Sequence, residues 1–431
     1  MSAADRADLI APSDWRRSGL ALVLFAPPLC IYGLQSWAGV VAGSCLLFCL
    51  IVTAQLAWRG QLHGGLAALR NSAVLGMLGF PVAVIVIIVL FGGEIDDLDT
   101  PSRFLLLVPV ALVIARLRPA PGPWFLANAA GGALGGLLAL NQVVVQGLPL
   151  ASGLLDNPNK FAYLTTVSAV VCLAAMRLDQ SDRPPLYLLW PGFALGVTAL
   201  LLSSTRGAWL AFCMALGGWF VLSRSVRLRT RLLLLAVVVG GAVLLASLEG
   251  QVIAQRWTKI GTELSQYLDG NWQESSIGER FELWRGAAIM IGENPLAGVG
   301  LGEYNKHLQQ LVAQGRLNPQ IADHGHAHNE PLMWWAVGGL PGLIGMLGLL
   351  FGPLFYFVRH AARASRLGGR NGSPAAPALR RYQAGAIAGS LVATVTLVFC
   401  LFDAFFYIQF ATVYYALTAY ILIGLVEAYR Q

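Results

Sequence analysis

Residues 72–91 read SAVLGMLGFPVAVIVIIVLF, a run of apolar and small residues without a single charged side chain. As a helix, a run of this length spans the roughly 30 Å hydrocarbon core of a bilayer. The bilayer core offers the backbone no water, so its amide and carbonyl groups must bond within the helix. The stretch therefore predicts a membrane-spanning helix.

Similar runs recur along the whole chain of 431 residues, of which 56% are hydrophobic and 12% charged. Soluble domains carry roughly 25% charged residues, so this composition excludes a water-soluble globule. The sequence predicts an all-α integral membrane protein with about 12 transmembrane helices. The predicted spans are 18–35, 38–57, 72–91, 103–116, 124–146, 160–177, 186–203, 207–223, 231–248, 332–358, 383–402 and 406–427.

The basic residues divide unequally between the two sides of the predicted bundle. An even number of spans places both termini on one side, and the segments on that side hold 20 of the 29 basic residues but six of the 22 acidic ones. Because lysine and arginine concentrate in cytoplasmic loops, both termini are predicted to be cytoplasmic. The positive net charge thus follows from topology and gives no indication of nucleic-acid binding.

One connection is much longer than the others and lies on the opposite, non-cytoplasmic side. Residues 249–331 hold ten of the 22 acidic residues and four of the six histidines. Helical spacing of apolar residues in 251–268 and 279–292 predicts two helices lying on the membrane or on the bundle. The chain is accordingly divided into spans 1–9 (1–248), a periplasmic loop domain (249–331) and spans 10–12 (332–431).

Two arginines occupy positions where a cation is unfavourable without a partner. Arg206, in the sequence SSTRG at 203–207, lies at the outer membrane boundary, where it either binds an anion or extends to lipid headgroups. Arg280 lies near the start of a predicted helix, where the helix dipole disfavours a positive charge. It therefore either binds an anion or pairs with Glu279 or Glu282.

The glycine-rich segment 294–304, NPLAGVGLGEY, has a GxGxG spacing. A nucleotide-binding loop of this kind needs a preceding strand and a βαβ unit, and the sequence predicts neither. The segment is predicted to be a turn that follows a helix.

The segment 323–330, DHGHAHNE, precedes span ten and carries histidines at three alternating positions, His324, His326 and His328. In an extended chain they share one face and form a metal site with Asp323 or Glu330. They are alternatively structural or surface residues. The interpretation we favour is that one of them is a general base, since a neutral imidazole accepts a proton near neutral pH.

Two arginines and a histidine on the outer face suit one kind of chemistry. Guanidinium groups bind phosphate oxygens in pairs and stay charged, so they can stabilise a departing pyrophosphate. Nucleotide-activated donors are absent outside the cytoplasm. A lipid-linked pyrophosphate donor and a hydroxyl acceptor are therefore predicted as substrates.

The motifs around these residues resemble those of the O-antigen ligases, within the O-antigen ligase/polymerase superfamily. That family has His, then Asn, Ser or Arg, nine residues, Gly, two residues, and Gly, Thr or Tyr. His328-Asn329 precedes Gly339 and Gly342 at this spacing. The turn at 203–207 resembles the family's first arginine site, and the sequence around Arg280 resembles its second. The resemblance covers roughly residues 150–345, the span count and the long loop.

The resemblance implies a periplasm-facing glycosyltransferase in the inner membrane of a Gram-negative bacterium. It would move O-antigen polysaccharide from undecaprenyl pyrophosphate to a sugar hydroxyl of lipid A-core, with inversion and without a metal or another cofactor. By position, His328 is the candidate catalytic base, and Arg206 and Arg280 are the pyrophosphate ligands. Further candidate substrate-binding residues are Arg285, Lys160, Asn329 and His326.

Three other functions are compatible with these features. An O-antigen polymerase shares the fold and motifs but extends the glycan. A protein O-oligosaccharyltransferase uses the same donor with a Ser or Thr acceptor. A transporter of lipid-linked glycans also has many spans, although the sequence shows no inverted repeat and such a protein has no need of the histidine motif.

Overall fold

The computed structural model describes residues 14–30, 35–62, 69–223, 276–369 and 376–430, with a few isolated positions between them. Every regular element in these ranges is a helix, which confirms the predicted all-α class. The α-helices are α1 (Asp14–Cys30), α2 (Gln35–Trp58), α3 (Ser72–Phe91), α4 (Asp99–Leu106), α5 (Val108–Leu117), α6 (Gly122–Leu140), α7 (Pro158–Ala175), α8 (Leu186–Leu202), α9 (Arg206–Leu222), α10 (Ser276–Glu293), α11 (Tyr304–Ala313), α12 (Glu330–Gly369), α13 (Pro377–Phe402) and α14 (Gln409–Tyr429).

Seven helical segments of the described ranges are long and apolar enough to cross a membrane. They are Gly39–Trp58, Ser72–Phe91, Ile95–Leu117, Gly122–Val145, Glu330–Leu367, Pro377–Phe402 and Gln409–Tyr429. Helices α8 and α9 are also apolar but shorter. The ninth predicted span, 231–248, and the predicted helix 251–268 lie outside the described residues. The count of twelve spans and the sidedness of the long loop therefore stay predictions.

The interior of the bundle is formed by α7, α13 and α14. The apolar stretch of α14 that could span a membrane is 94% buried within the protein, whereas the corresponding stretch of α2 is 28% buried. The inner helices meet through aromatic rings and matched polar groups, such as the hydroxyls of Tyr163 and Thr396 at 2.8 Å. Because α13 is held inside the core, the turn that follows it at 403–408 has a fixed position.

Helices α3 and α12 pack closely because glycines line their contact. A Cβ atom on Gly76 would lie 2.2 Å from the carbonyl oxygen of Gly348 and 3.1 Å from the Cα atom of Gly352. Small residues let two backbones approach in this way, which is a common means of joining helices in membranes. The close packing holds α12 against α3, and the histidine segment comes directly before α12.

A break at Gly339 divides α12 near its start. Gly339 has φ 59° and ψ −153°, a conformation that a residue with a side chain adopts only with strain. Outside the helix, the Leu340 amide donates to the Leu296 carbonyl (3.2 Å), and the Ala336 carbonyl accepts from the Val299 amide (2.8 Å). The glycine-rich turn thus satisfies backbone groups that the break leaves without helical partners.

The two glycines of the sequence motif follow from this break. A Cβ atom on Gly339 would lie 2.1 Å from the Leu296 carbonyl oxygen, and one on Gly342 would lie 2.2 Å from the Trp334 carbonyl oxygen. The prediction of a turn after a helix for 294–304 is confirmed, since α10 ends at Glu293 and the turn follows it. The spacing of the two motif glycines therefore has a packing cause that is separate from catalysis.

Candidate functional site

A cavity of about 480 Å³ opens where α7, α9, α10 and the end of α13 meet. Arg206 lines it as the first residue of α9, and Arg280 lines it from the first turns of α10. The fold thus brings together the two arginines that the sequence singled out. The other lining residues are Leu150, Pro158, Asn159, Ser203, Ser204, Thr205, Gly207, Leu210, Ile277, Phe399, Phe402 and Asp403.

The turn before α9 determines where Arg206 lies. The Ser203 hydroxyl donates to the Leu200 carbonyl (2.6 Å) and accepts from the Thr205 amide (3.4 Å), while Ser204 adopts a left-handed φ of 57°. These bonds end α8 and start α9 within three residues. The N-terminus of α9 faces the cavity with a positive dipole and a guanidinium group, which together favour an anionic ligand.

The carboxylates beside Arg280 in sequence have other partners. Glu279 lies 2.6 Å from Nε2 of His324, and Glu282 accepts from Arg285 at 3.2 Å. Arg280 instead lines the cavity together with Asp403, and its charge contributes to a lowered pKa of that residue. The geometry therefore favours a ligand in the cavity, rather than Glu279 or Glu282, as the partner of Arg280.

His328 is held by a carboxylate from another helix end. Its Nδ1 atom lies 3.0 Å from Oδ1 of Asp403, the residue that follows α13. Asp403 also accepts from the Asn159 side-chain amide (2.9 Å) and from the Ala404 backbone amide (2.9 Å). This network fixes both the position of the carboxylate and the orientation of the imidazole.

The charge state of Asp403 decides which nitrogen of His328 carries a proton. Burial raises the pKa of Asp403, but the hydrogen bond and charge of His328, the Ala404 amide and Arg280 outweigh burial and leave that pKa below its usual value. The ionised carboxylate only accepts hydrogen bonds, so the proton between the two groups belongs to Nδ1 of His328. In a neutral ring, Nε2 is then free to accept a proton.

Asp403 is not indicated by the sequence motifs, although its position carries a signal. It is the one charged residue between Arg381 and Glu427 and lies in the apolar stretch FCLFDAFFYIQF. A carboxylate in such a stretch is costly and marks a functional position by default. Asn159, which precedes the predicted residue Lys160, is also not indicated by the sequence motifs, and it lines the cavity beside Asp403.

The backbone at His328 is strained. Its φ of 49° lies in the left-handed region, which costs a residue other than glycine on the order of 1–3 kcal/mol. Of the four such residues in the described part of the chain, His328 and Ser204 belong to this site. Two neighbouring side chains support the strained conformation.

Asn329 and Glu330 tie the start of α12 to the turn around Asp403. The Asn329 amide donates to the Leu401 carbonyl (3.0 Å), while its oxygen accepts from the Leu332 amide (3.0 Å) and so caps α12. The buried Glu330 carboxylate accepts from the Phe406 amide and from the Trp334 indole. Both polar groups of the Asn329 side chain are thus engaged by the protein backbone, and its contact with substrate stays a prediction.

The three histidines point to different partners. The His326 ring packs edge-to-face on the His328 ring, with 4.2 Å between centroids, while His324 reaches Glu279. Burial, and then the proximity of His328, lower the pKa of His326 to about 4, so this ring is neutral. Within the described residues, no group of three or more His, Cys, Asp or Glu side chains has the arrangement of a metal site.

None of the four further candidate substrate-binding residues lines the cavity: Arg285, Lys160, Asn329 and His326. The Arg285 side chain is 57% exposed and pairs with Glu282. The Lys160 backbone amide donates to the Asn157 side chain at the start of α7, while its neighbour Asn159 lines the cavity. The candidate site therefore comprises Arg206, Arg280 and the adjacent His328–Asp403 pair.

The described residues combine an all-helical fold with apolar segments long enough to span a membrane. They also form a cavity lined by two arginines, next to a histidine–carboxylate pair. Residues 191–347 match the protein family described as O-antigen ligase, a stretch that includes Arg206, Arg280, His328 and the glycines of α12. This match agrees with the resemblance drawn from the motifs and supports a relationship of residues 191–347 to the O-antigen ligase superfamily. Members of this superfamily are glycosyltransferase-like enzymes that act on polysaccharide and lipid-linked substrates.

The chain is also similar to an uncharacterized protein of Haemophilus influenzae (strain ATCC 51907 / DSM 11121 / KW20 / Rd). The two are 24% identical over 272 residues, which are 62% of this chain and 67% of that protein. The matched length exceeds that of the segment 191–347, so part of the similarity lies outside this segment.

Proposed function

We propose that this protein is an O-antigen ligase. It transfers O-antigen polysaccharide from undecaprenyl pyrophosphate to a sugar hydroxyl of lipid A-core, at the periplasmic face of a Gram-negative inner membrane. The observation that carries the proposal is the shared cavity, in which Arg206 and Arg280 lie beside the carboxylate that orients His328. Phosphate ligands and a general base are what this transfer requires.

The acceptor is activated by His328 in this proposal. Nε2 of His328 takes the proton of the acceptor hydroxyl while the hydroxyl oxygen bonds to the anomeric carbon of the donor sugar. The ionised Asp403 stabilises the imidazolium that results, since its Oδ1 accepts a hydrogen bond from the protonated Nδ1. Attack from the face opposite the leaving group inverts the anomeric centre.

The leaving group is held by the two arginines. The bond between the anomeric carbon and the pyrophosphate oxygen breaks, and its electron pair stays on undecaprenyl pyrophosphate. Arg206 and Arg280 stabilise this charge with groups that are already in place, which is the largest contribution in many enzymes. Two guanidinium groups supply the charge that a metal ion would otherwise supply, so the proposed reaction needs none.

The apolar part of the cavity wall supports a lipid-linked donor. Leu150, Leu210 and Phe402 line it next to the polar groups, and Leu210 belongs to the apolar helix α9. A polyprenyl chain on these residues would place its pyrophosphate at the arginines. A soluble nucleotide sugar would gain nothing from such a wall.

A gel of lipopolysaccharide tests the function. A strain lacking the gene receives the wild-type chain, His328→Ala or the control His307→Ala. In the wild type, the imidazole of His307 on α11 faces the carbonyl of Glu303. We expect bare lipid A-core with His328→Ala, with polymer accumulating on the lipid carrier, and a normal ladder with the other two.

Two results would contradict the proposal. Core capped with a single repeat unit would identify a polymerase. An unchanged ladder in the deletion strain would favour a protein O-oligosaccharyltransferase or a transporter, and the glycosylation state of periplasmic proteins would separate those two.

A further inference from the structure

A second cavity lies at the other end of the bundle, roughly 40 Å along α12 from His328. It has a volume of about 350 Å³ and lies between the start of α3, the C-terminal part of α12 and the end of α14. Four arginines from three separate parts of the chain line it, Arg70, Arg359, Arg363 and Arg430. None of them belongs to the site described above.

The positive charge of this cavity is only partly balanced. Arg430 pairs with the buried Glu427 at 2.8 Å, and that carboxylate also accepts from the Tyr356 hydroxyl at 2.6 Å. Among the residues that the structure describes, no carboxylate pairs with Arg70, Arg359 or Arg363. Like charges gathered in one concave space repel each other, so the cavity favours an anionic ligand.

The helix that begins at the cavity adds to this potential. Asn71 and Ser72 line the cavity at the N-terminus of α3, whose dipole is positive there. The Asn71 side chain already accepts from the Ala73 and Val74 amides, so that end is capped. The direct ligands are therefore the guanidinium groups, which bind phosphate oxygens in pairs.

One wall of the cavity continues into the apolar outer surface of the bundle. Phe355 lines the cavity and is 61% exposed, and Phe351, one helical turn away on the same face of α12, is 49% exposed. Leu75 in the first turn of α3 is exposed as well. A ligand with a charged head and hydrocarbon chains matches both parts of this surface.

We propose that this cavity binds the phosphate group of an anionic membrane lipid. Arg70, Arg359 and Arg363 are its ligands, and the acyl chains lie on Phe355 and Phe351. Scattered basic residues at a membrane surface attract anionic lipids without selecting one. Here, three chain segments form a concave site, and such a site can hold one lipid molecule in a defined position.

Lipid retention by the purified full-length chain tests this inference. The protein is delipidated in detergent, incubated with phosphatidylglycerol or with phosphatidylcholine, and analysed by native mass spectrometry and thermal unfolding. We expect selective retention of phosphatidylglycerol and a rise in Tm. The double variant Arg359→Gln/Arg363→Gln should lose about tenfold or more of this retention.

The controls separate the site from general charge effects. Arg366→Gln removes an exposed charge one turn further along α12, outside the cavity lining, and should retain the lipid like the wild type. Arg70→Gln tests the site from another element if the double variant fails to fold. Equal retention by the Arg70, double and Arg366 variants would overturn the inference. An equal rise in Tm with inorganic phosphate would replace the lipid with a soluble anion.

Discussion

The two arginine cavities at opposite ends of α12 differ in one respect that decides what each can do. In the first, Arg206 and Arg280 lie with Asp403, whose carboxylate holds His328. In the second, the carboxylate of Glu427 is buried and engaged by Tyr356 and Arg430. Both cavities suit a phosphate group, but only the first has an oriented imidazole that can move a proton.

The carboxylate of Asp403 distinguishes the first cavity from the second, so its substitution should have the largest effect on the rate of transfer. In Asp403→Asn the amide no longer fixes the proton on Nδ1 of His328, so Nε2 loses its role as base. We expect transfer to slow by about 10²–10⁴-fold, the range for general base catalysis. The rate of transfer in proteoliposomes measures this.

A nearby acidic residue provides the control for Asp403. Asp323→Asn changes an exposed carboxylate in the same histidine segment and should transfer at the wild-type rate. If Asp403→Asn stays within twofold of the wild type, the histidine–carboxylate pair is structural and the two cavities differ less than we infer.

The arginines of the first cavity should come next in size. Arg280→Gln removes a group that stabilises the departing pyrophosphate, with an expected loss of about 10²–10³-fold. Arg280→Lys keeps the charge without the paired donors and should recover part of the rate. A pre-steady-state assay of undecaprenyl pyrophosphate release provides the rates.

Arg316→Gln is the matched control for Arg280, because Arg316 is partly exposed and pairs with Glu293 in the same loop domain. Equal rates for Arg280→Gln and Arg316→Gln would remove Arg280 from the site. Full activity of Arg280→Lys would show that charge alone matters there.

Helix α12 is broken at Gly339, and a substitution at this position should lower the stability of the protein. Gly339→Ala places a methyl group 2.1 Å from the Leu296 carbonyl oxygen in a strained conformation. We expect a loss of about 1–3 kcal/mol, seen as a lower Tm in detergent. Gly79→Ala on α3 has open space around its Cβ atom and should not lower Tm.

Arg285 should show the smallest effect. Its side chain is largely exposed and pairs with Glu282 outside the cavity lining, and exposed ion pairs contribute about 0–1 kcal/mol. Arg285→Gln should change the transfer rate by less than about threefold in the same proteoliposome assay. A loss as large as that of Arg280→Gln would bring Arg285 back as a substrate ligand.

The sequence predicted the helices and part of the site for identifiable reasons. Long apolar runs have one stable conformation in a membrane, so the helices could be located from composition. Arg206 and Arg280 were found because a cation is costly at their positions, and His328 because its motif resembles a family. Each of these signals is local in sequence.

The partners of those residues could not be predicted, because they are distant in sequence. Asp403 reaches His328 from the end of α13, and Asn159 reaches Asp403 from the start of α7. No periodicity links positions so far apart. The docking of the turn at 296–300 into the break at Gly339 also depends on tertiary packing and on the positive φ of that glycine.

The central claim is that the His328–Asp403 pair and the two arginines act together on a lipid-linked pyrophosphate. Its most direct test uses purified protein in proteoliposomes, with undecaprenyl-pyrophosphate-linked polysaccharide and lipid A-core. The account predicts that the wild type releases one undecaprenyl pyrophosphate for each polysaccharide joined to core, and that His328→Ala releases almost none while it stays folded. Release and joining by His328→Ala at the wild-type rate would contradict it.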